Sequence, residues 1–184
     1  GSNDSMETVI FYHPITDYDI SIVNADEVRV ASIVGNEGND TLVYIDRIIF
    51  ADKNLALDTD GVAGQAYRIY KAAFDRVPDL PGLGYWIAAM DKGVALTGVA
   101  GGFIASTEFQ SRYGDVSDTD FIRLLYENVL DRQPDAEGYA YWQEAMADGM
   151  SREQLLASFS ESTENKANVA GLIAGGIEYT PFIG

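Results

Sequence analysis

The stretch DRVPDLPGLGYWIAAMDKG at residues 75–93 returns 56 residues later as DRQPDAEGYAYWQEAMADG at residues 131–149. The similarity runs without a gap from Tyr70–Glu108 to Tyr126–Glu164, and both copies end in Ser-Thr-Glu. A repeated helical unit that cannot bury its apolar face alone becomes stable when copies stack. The repeat therefore predicts a helical bundle of two homologous three-helix units, followed by a terminal helix.

The loops at residues 75–79 and 131–135 both read Asp-Arg-x-Pro-Asp. Two carboxylates and a guanidinium so close together could form a polar site. However, a proline stops a helix, and the aspartate after it can cap the next one. Because the same loop occurs twice, a structural corner with an arginine–carboxylate pair explains it better than a catalytic centre.

The N-terminal part has the pattern of strands instead of helices. From Thr8 to Phe50, short β-branched and aromatic runs alternate with turn residues such as those at 35–40. We therefore expect an α+β fold, with a small antiparallel β-sheet ahead of the helical bundle. The expected domains are a flexible cloning remnant at residues 1–5, a β-rich segment at 6–60 and the duplicated helical domain at 61–184.

Charge restricts the partners of the chain. Its 184 residues carry 29 acidic and 12 basic side chains, a formal net charge of −17. Such a field repels nucleic acid and anionic membranes and attracts cations. There is no cysteine, so thiolate metal sites are excluded, and the single histidine, His13, has no second histidine with which to share a zinc ion. No apolar run approaches the roughly 20 residues that a membrane span requires.

A candidate calcium site lies in the glycine-rich turn GNEGNDTLV at residues 35–43. This turn fits the nine-residue repeat G-G-x-G-x-D-x-U-x except at Asn36. Glycines permit a tight turn with inward carbonyls, and aspartate supplies the hard oxygen that calcium prefers. The candidate ligands are Gly35, Glu37, Gly38 and Asp40. Calcium in such repeats lies between successive turns, so an ordinary hairpin is an equal alternative.

Each copy also carries an adjacent Tyr-Trp pair on a helix. Neighbouring helical residues point about 100° apart, so one ring of each pair should be buried and the other partly exposed. Tyr85 and Tyr141 are therefore candidate stacking residues for a glycan. No serine-hydrolase, zinc-protease, nucleotide-binding or paired-carboxylate pattern is present, and we expect the chain not to be an enzyme.

Two segments together carry a family resemblance. Residues 38–58, GNDTLVYIDRIIFADKNLALD, resemble the segment that follows calcium repeats in bacterial proteins exported by type I secretion. From Gly64 onward, the Asp-Arg-x-Pro-Asp loops, the Gly-Tyr-Trp at residues 84–86 and the LYENVL at 125–130 are similar to the domain of unknown function 4214 family. That family occurs in hemolysin-type calcium-binding and surface-layer-like proteins of Gram-negative bacteria.

The resemblance implies an extracellular or cell-surface location and a partnership with the type I secretion machinery, whose signal is read at an uncleaved C-terminus. The small, apolar residues 170–184 suit such a signal, and an ordinary docked helix is the alternative. The expected function is a non-enzymatic C-terminal module that supports export, folding and surface association. A glycan- or lipopolysaccharide-binding adhesin, with a surface polysaccharide as partner, is the alternative, and a hydrolase is a distant third.

Overall fold

The chain forms two compact units in a computed structural model that describes residues 6–35, 38–114 and 116–184. The sheet unit draws its residues from 1–64, 79–88 and 172–184, and the helical unit from 65–78 and 89–171. Two chain segments outside the N-terminal region thus belong to the sheet unit. No helix in the described part of the chain has the length and apolar character to cross a membrane.

The sheet unit contains two small sheets. Their strands are β1 (Thr8–Ile10), β2 (Tyr18–Asn24), β3 (Glu27–Ser32), β4 (Asn39–Val43), β5 (Arg47–Ile49), β6 (Asn54–Ala56) and β7 (Ile177–Tyr179). One sheet is the antiparallel meander β2-β3-β4, in which Val30 lies opposite both Ile20 and Asp40. The other has the order β1-β5-β6-β7.

The four-stranded sheet departs from a purely antiparallel arrangement, because β1 pairs with β5 in parallel. Its last strand, β7, comes from the far end of the chain and pairs antiparallel with β6 through Ala56 and Ile177. The side chains of Ile48, Leu55 and Phe50 are buried in the core of this unit. The prediction of an α+β fold with an N-terminal antiparallel sheet is confirmed, and the second, mixed sheet is an addition to it.

The helices recur at the spacing of the sequence repeat. The first copy has α1 (Val62–Phe74), α2 (Leu80–Asp91), α3 (Leu96–Ile104) and α4 (Thr107–Tyr113), and the second has α5 (Asp118–Leu130), α6 (Ala136–Ala147), α7 (Arg152–Ser160) and α8 (Thr163–Ile173). Each helix of the second copy begins 56 residues after its counterpart in the first.

Among the described residues, each copy therefore has four helices where the sequence predicted three. The additional helix in the first copy is α4, which begins after Ser106. The hydroxyl of Ser106 accepts a hydrogen bond from the backbone N–H of Phe109 at 3.1 Å, so the repeated Ser-Thr-Glu is a helix start. The predicted terminal helix corresponds to α8, the fourth helix of the second copy.

The core of the helical unit lies where α3 packs on α7. Val99 and Ala100 of α3 and Leu155 and Leu156 of α7 are all fully buried. Helix α7 starts with a capping box between Ser151 and Gln154. The contact between α3 and α7 brings one helix from each copy together.

Candidate functional site

In the first copy, the arginine of the repeated loop, Arg76, binds two side chains of the same copy. Its guanidinium donates from Nε and Nη2 to the two carboxylate oxygens of Glu108, at 2.9 and 3.1 Å. Arg76 Nη2 also donates to the hydroxyl of Tyr70 at 2.9 Å, and the guanidinium lies 5.0 Å from the centre of that ring. The hydrogen bond to Glu108 raises the pKa of Arg76 above its ordinary value.

The second copy repeats this arrangement. Arg132 donates to both oxygens of Glu164, at 2.7 and 3.0 Å, and lies 4.9 Å from the centre of the Tyr126 ring. The hydrogen bond from Arg132 lowers the pKa of Glu164. The pairing of the loop arginines with carboxylates, predicted from the sequence, is present in both copies.

The second aspartate of each loop caps a helix. Asp79 accepts a hydrogen bond from the N–H of Gly82, and Asp135 accepts one from the N–H of Gly138, each at 2.8 Å. The bond from Gly138 is the main reason that the pKa of Asp135 is lowered. These contacts are the ones that a structural corner requires.

The two candidate stacking residues lie in different surroundings. Tyr85 is 44% exposed, and its ring stands edge-on to Phe182, with ring centres 5.0 Å apart. Tyr141 is 61% exposed, and its one ring neighbour among the described residues is Trp142. Both tryptophans are half-buried. Tyr141 therefore offers the larger aromatic surface.

Helices α2 and α6 differ at the residue that precedes each tyrosine, and this difference explains why Tyr85 is more covered than Tyr141. Gly84 of α2 is approached by the Thr180 carbonyl so closely that a Cβ there would lie 1.8 Å from the oxygen. The N–H of Thr180 also donates to the carbonyl of Leu80 at 3.1 Å. The residue that corresponds to Gly84 in α6 is Ala140, which is exposed, and none of the residues of α6 is buried.

The described residues of the candidate calcium turn are Gly35 and Gly38, which lie between β3 and β4, and the strand β4 itself. Gly35 and Gly38 have φ values of +84° and +87°, and the N–H of Ser32 donates to the carbonyl of Gly38 at 3.0 Å. Asp40 is exposed on β4. Glu37 lies outside the described residues. In the described ranges, no group of three or more histidine, aspartate and glutamate side chains is arranged to hold a metal ion.

A polar cleft of about 490 Å³ in the helical unit was not predicted from the sequence. It lies between the C-terminal ends of α1 and α5 and one face of α8. The side chains that give it its chemistry are those of Lys71, Asp75, Glu127, Asp131, Asn165 and Asn168. Asp75 and Asp131 have left-handed backbones, with φ values of 46° and 52°. A left-handed backbone is uncommon in residues other than glycine, and among those residues aspartate and asparagine tolerate it best.

The fold and these sites define an α+β protein whose helical part carries the repeated loop as a structural corner. Residues 100–169 match the model of a family described as Domain of unknown function (DUF4214), which supports the resemblance found in the sequence. The match covers the end of the first copy and nearly all of the second. Neither a curated protein nor a solved structure matches the chain.

Proposed function

We propose that the chain is a non-enzymatic C-terminal module of a secreted or surface-attached bacterial protein, where it supports type I export, folding and surface association. The observation that carries the non-enzymatic part is the duplicated corner. In both copies the arginine is held by a glutamate and the second aspartate by a helix N-terminus. Groups fixed in this way stabilise a scaffold.

The export part of the proposal rests on the sequence. The segment at residues 38–58 resembles the flank of calcium repeats in exported proteins, and the chain has no cysteine and a net charge of −17. Calcium, which is abundant outside cells, is the expected cofactor, with Asp40 as the principal ligand. The type I secretion machinery is the expected partner.

A secretion assay tests the proposal. The chain is produced with a reporter fused upstream in a Gram-negative host that carries a type I transporter, and the reporter is measured in the medium. We expect deletion of residues 170–184 to abolish secretion. That deletion also removes β7, so the loss has to be separated from an effect on folding.

The matched control is Leu55→Ala. Leu55 is a buried residue of β6, directly opposite Glu178 of β7, and its truncation weakens the same sheet while leaving residues 170–184 in place. If Leu55→Ala is secreted and the deletion variant stays in the cell, the result supports an export signal in residues 170–184. Normal secretion of the deletion variant, or equal retention of both, would overturn the assignment.

The alternative function is binding of a surface glycan or lipopolysaccharide. The exposure of Tyr141 beside the half-buried Trp142 favours it, because a sugar can stack on an aromatic face that protein does not cover. A glycan array tests it, with Tyr141→Ala compared against Tyr85→Ala. We expect any bound glycan to depend more on Tyr141, since Phe182 already contacts Tyr85.

A further inference from the structure

The polar cleft arises from a difference between the two copies. In the first copy, α4 places Phe109, Arg112 and Tyr113 near the end of α1. At the corresponding positions of α8, 56 residues later, stand Asn165, Asn168 and Val169. All three of these side chains are smaller, and they line the cleft at the end of α5.

In the first copy, Arg112 provides a positive charge at the end of α1. Its guanidinium donates to the backbone carbonyl of Phe74 and lies 3.8 Å from the carboxylate of Asp75. The carbonyls at a helix C-terminus carry partial negative charge, and a nearby cation stabilises them. The same guanidinium therefore compensates both the helix end and the aspartate that follows it.

The second copy has the same acceptors and lacks that cation. Leu130 and Asp131 correspond to Phe74 and Asp75, but an uncharged asparagine, Asn168, takes the position of the arginine. Within the described ranges, no side chain donates to the carbonyl of Leu130, and no cationic group lies within ion-pair distance of Asp131. Both residues line the cleft.

A buried amide also lines the cleft. Asn165 is only 3% exposed, and its Nδ2 donates to the carbonyl of Ser160 at 2.7 Å. The cleft also contains Glu127, Asp75 and the ammonium of Lys71, which lies 3.5 Å from Asp75. Three carboxylates stand against the ammonium of Lys71 and the guanidinium of Arg112 beside Asp75, so the cleft keeps a net negative charge.

We propose that this cleft binds a guanidinium group, which takes in the second copy the contacts that Arg112 makes in the first. The carboxylate of Asp131 and the carbonyl of Leu130 accept its N–H groups, as Asp75 and Phe74 do for Arg112. A planar, multiply donating cation suits a carboxylate beside a carbonyl better than a compact ammonium does. The group can come from a small guanidino compound or from an arginine side chain of a peptide.

Isothermal titration of the whole chain tests the proposal. The probe is agmatine, and butane-1,4-diamine is its matched control because it replaces the guanidinium with an ammonium. We expect saturable agmatine binding that is about tenfold tighter than binding of the diamine. The tripeptide Gly-Arg-Gly forms a second arm. Tighter binding of the tripeptide than of agmatine identifies a peptide as the source, and the reverse identifies a small molecule.

Three variants locate the binding. Asn168→Arg supplies the guanidinium from the chain itself, so agmatine binding should be lost and the melting temperature of the unliganded protein should rise. Asp131→Asn keeps a residue that tolerates the left-handed backbone and should weaken binding about tenfold. Glu137→Gln removes the same charge from the exposed start of α6, outside the cleft, and should leave binding unchanged.

The proposal fails if agmatine gives no saturable heat or binds no better than the diamine. It also fails if Asp131→Asn and Glu137→Gln weaken binding equally, since the overall acidic charge would then explain the attraction. If Asn168→Arg does not fold, as circular dichroism would show, the comparison of Asp131→Asn with Glu137→Gln still decides the matter.

Discussion

Arg68 of α1 and Glu161, at the end of α7, join the two copies through a bidentate ion pair, with Nε–Oε1 and Nη2–Oε2 distances of 2.7 and 2.8 Å. The Arg68 side chain is 2% exposed and that of Glu161 is 20% exposed. The corresponding residues are Leu124 in the second copy and Ala105 in the first. Unlike the loop pairs, this contact therefore occurs once, and it links α1 of the first copy to the end of α7 in the second.

Removing one member of this pair should destabilise the protein. We expect Arg68→Leu to lower the free energy of unfolding by about 2–4 kcal/mol. The loss should be smaller than for a deeply buried unpaired charge, because Lys166 lies 3.3 Å from Glu161 and still neutralises it. Adding Glu161→Ala, which makes both positions resemble their counterparts, should restore part of the loss. Urea denaturation of both single variants and the double variant measures this. Additive losses would show that the two side chains are not coupled.

Acid should weaken the second corner. The pKa of Glu164 lies below its ordinary value of 4.5 because Arg132 donates to the carboxylate. A lowered folded-state pKa gives stability that is complete above the unfolded value and is lost as the pH falls through the folded one. The difference in unfolding free energy between the wild type and Glu164→Gln should therefore shrink from pH 6 towards pH 3. Glu137→Gln, which removes a solvent-facing carboxylate, is the control, and a constant difference for Glu164→Gln would contradict the assignment.

Trp142 should contribute to stability through the packing of its ring. The ring centre lies 5.2 Å from that of Phe159 and 4.9 Å from that of Tyr141. Because the side chain is half-buried, we expect Trp142→Ala to cost about 2–3 kcal/mol, less than a fully buried tryptophan. Trp142→Phe, which keeps an aromatic ring, should recover more than half of this. A loss under about 1 kcal/mol for the alanine variant would favour the glycan-binding alternative.

Calcium should stabilise the turn between β3 and β4. We expect calcium to raise the melting temperature more than magnesium does, because magnesium retains its waters and requires stricter octahedral geometry. Asp40→Ala should remove the difference between the two ions, whereas Asp120→Ala, on the exposed start of α5, should preserve it. Equal responses to both ions in the wild type would leave only general screening of the negative charge.

The repeat made much of the helical region predictable, since proline, aspartate and glycine mark the same helix boundaries in both copies. The strand β7 was not predicted, because three residues between Gly176 and Thr180 are too short to show a period of two. The capping role of Asp79 could be predicted from local chemistry, whereas the partner of Arg76 could not, because Glu108 lies 32 residues away. The cleft could not be predicted either. It depends on two positions where the copies differ, Asn165 and Asn168, and on the helix ends that meet there.

The pairing of β6 with β7 connects residues that are distant in sequence. Asn54 donates to the hydroxyl of Tyr179, and Lys53 pairs with Glu178, in each case across 125 positions of the chain. Contacts between distant residues form late, because the loop between them must first close at an entropic cost. The helical residues between β6 and β7 all have to be synthesised before this sheet can be completed. The edge of β6 that pairs with β7 therefore stays unpaired until residues 177–179 have left the ribosome.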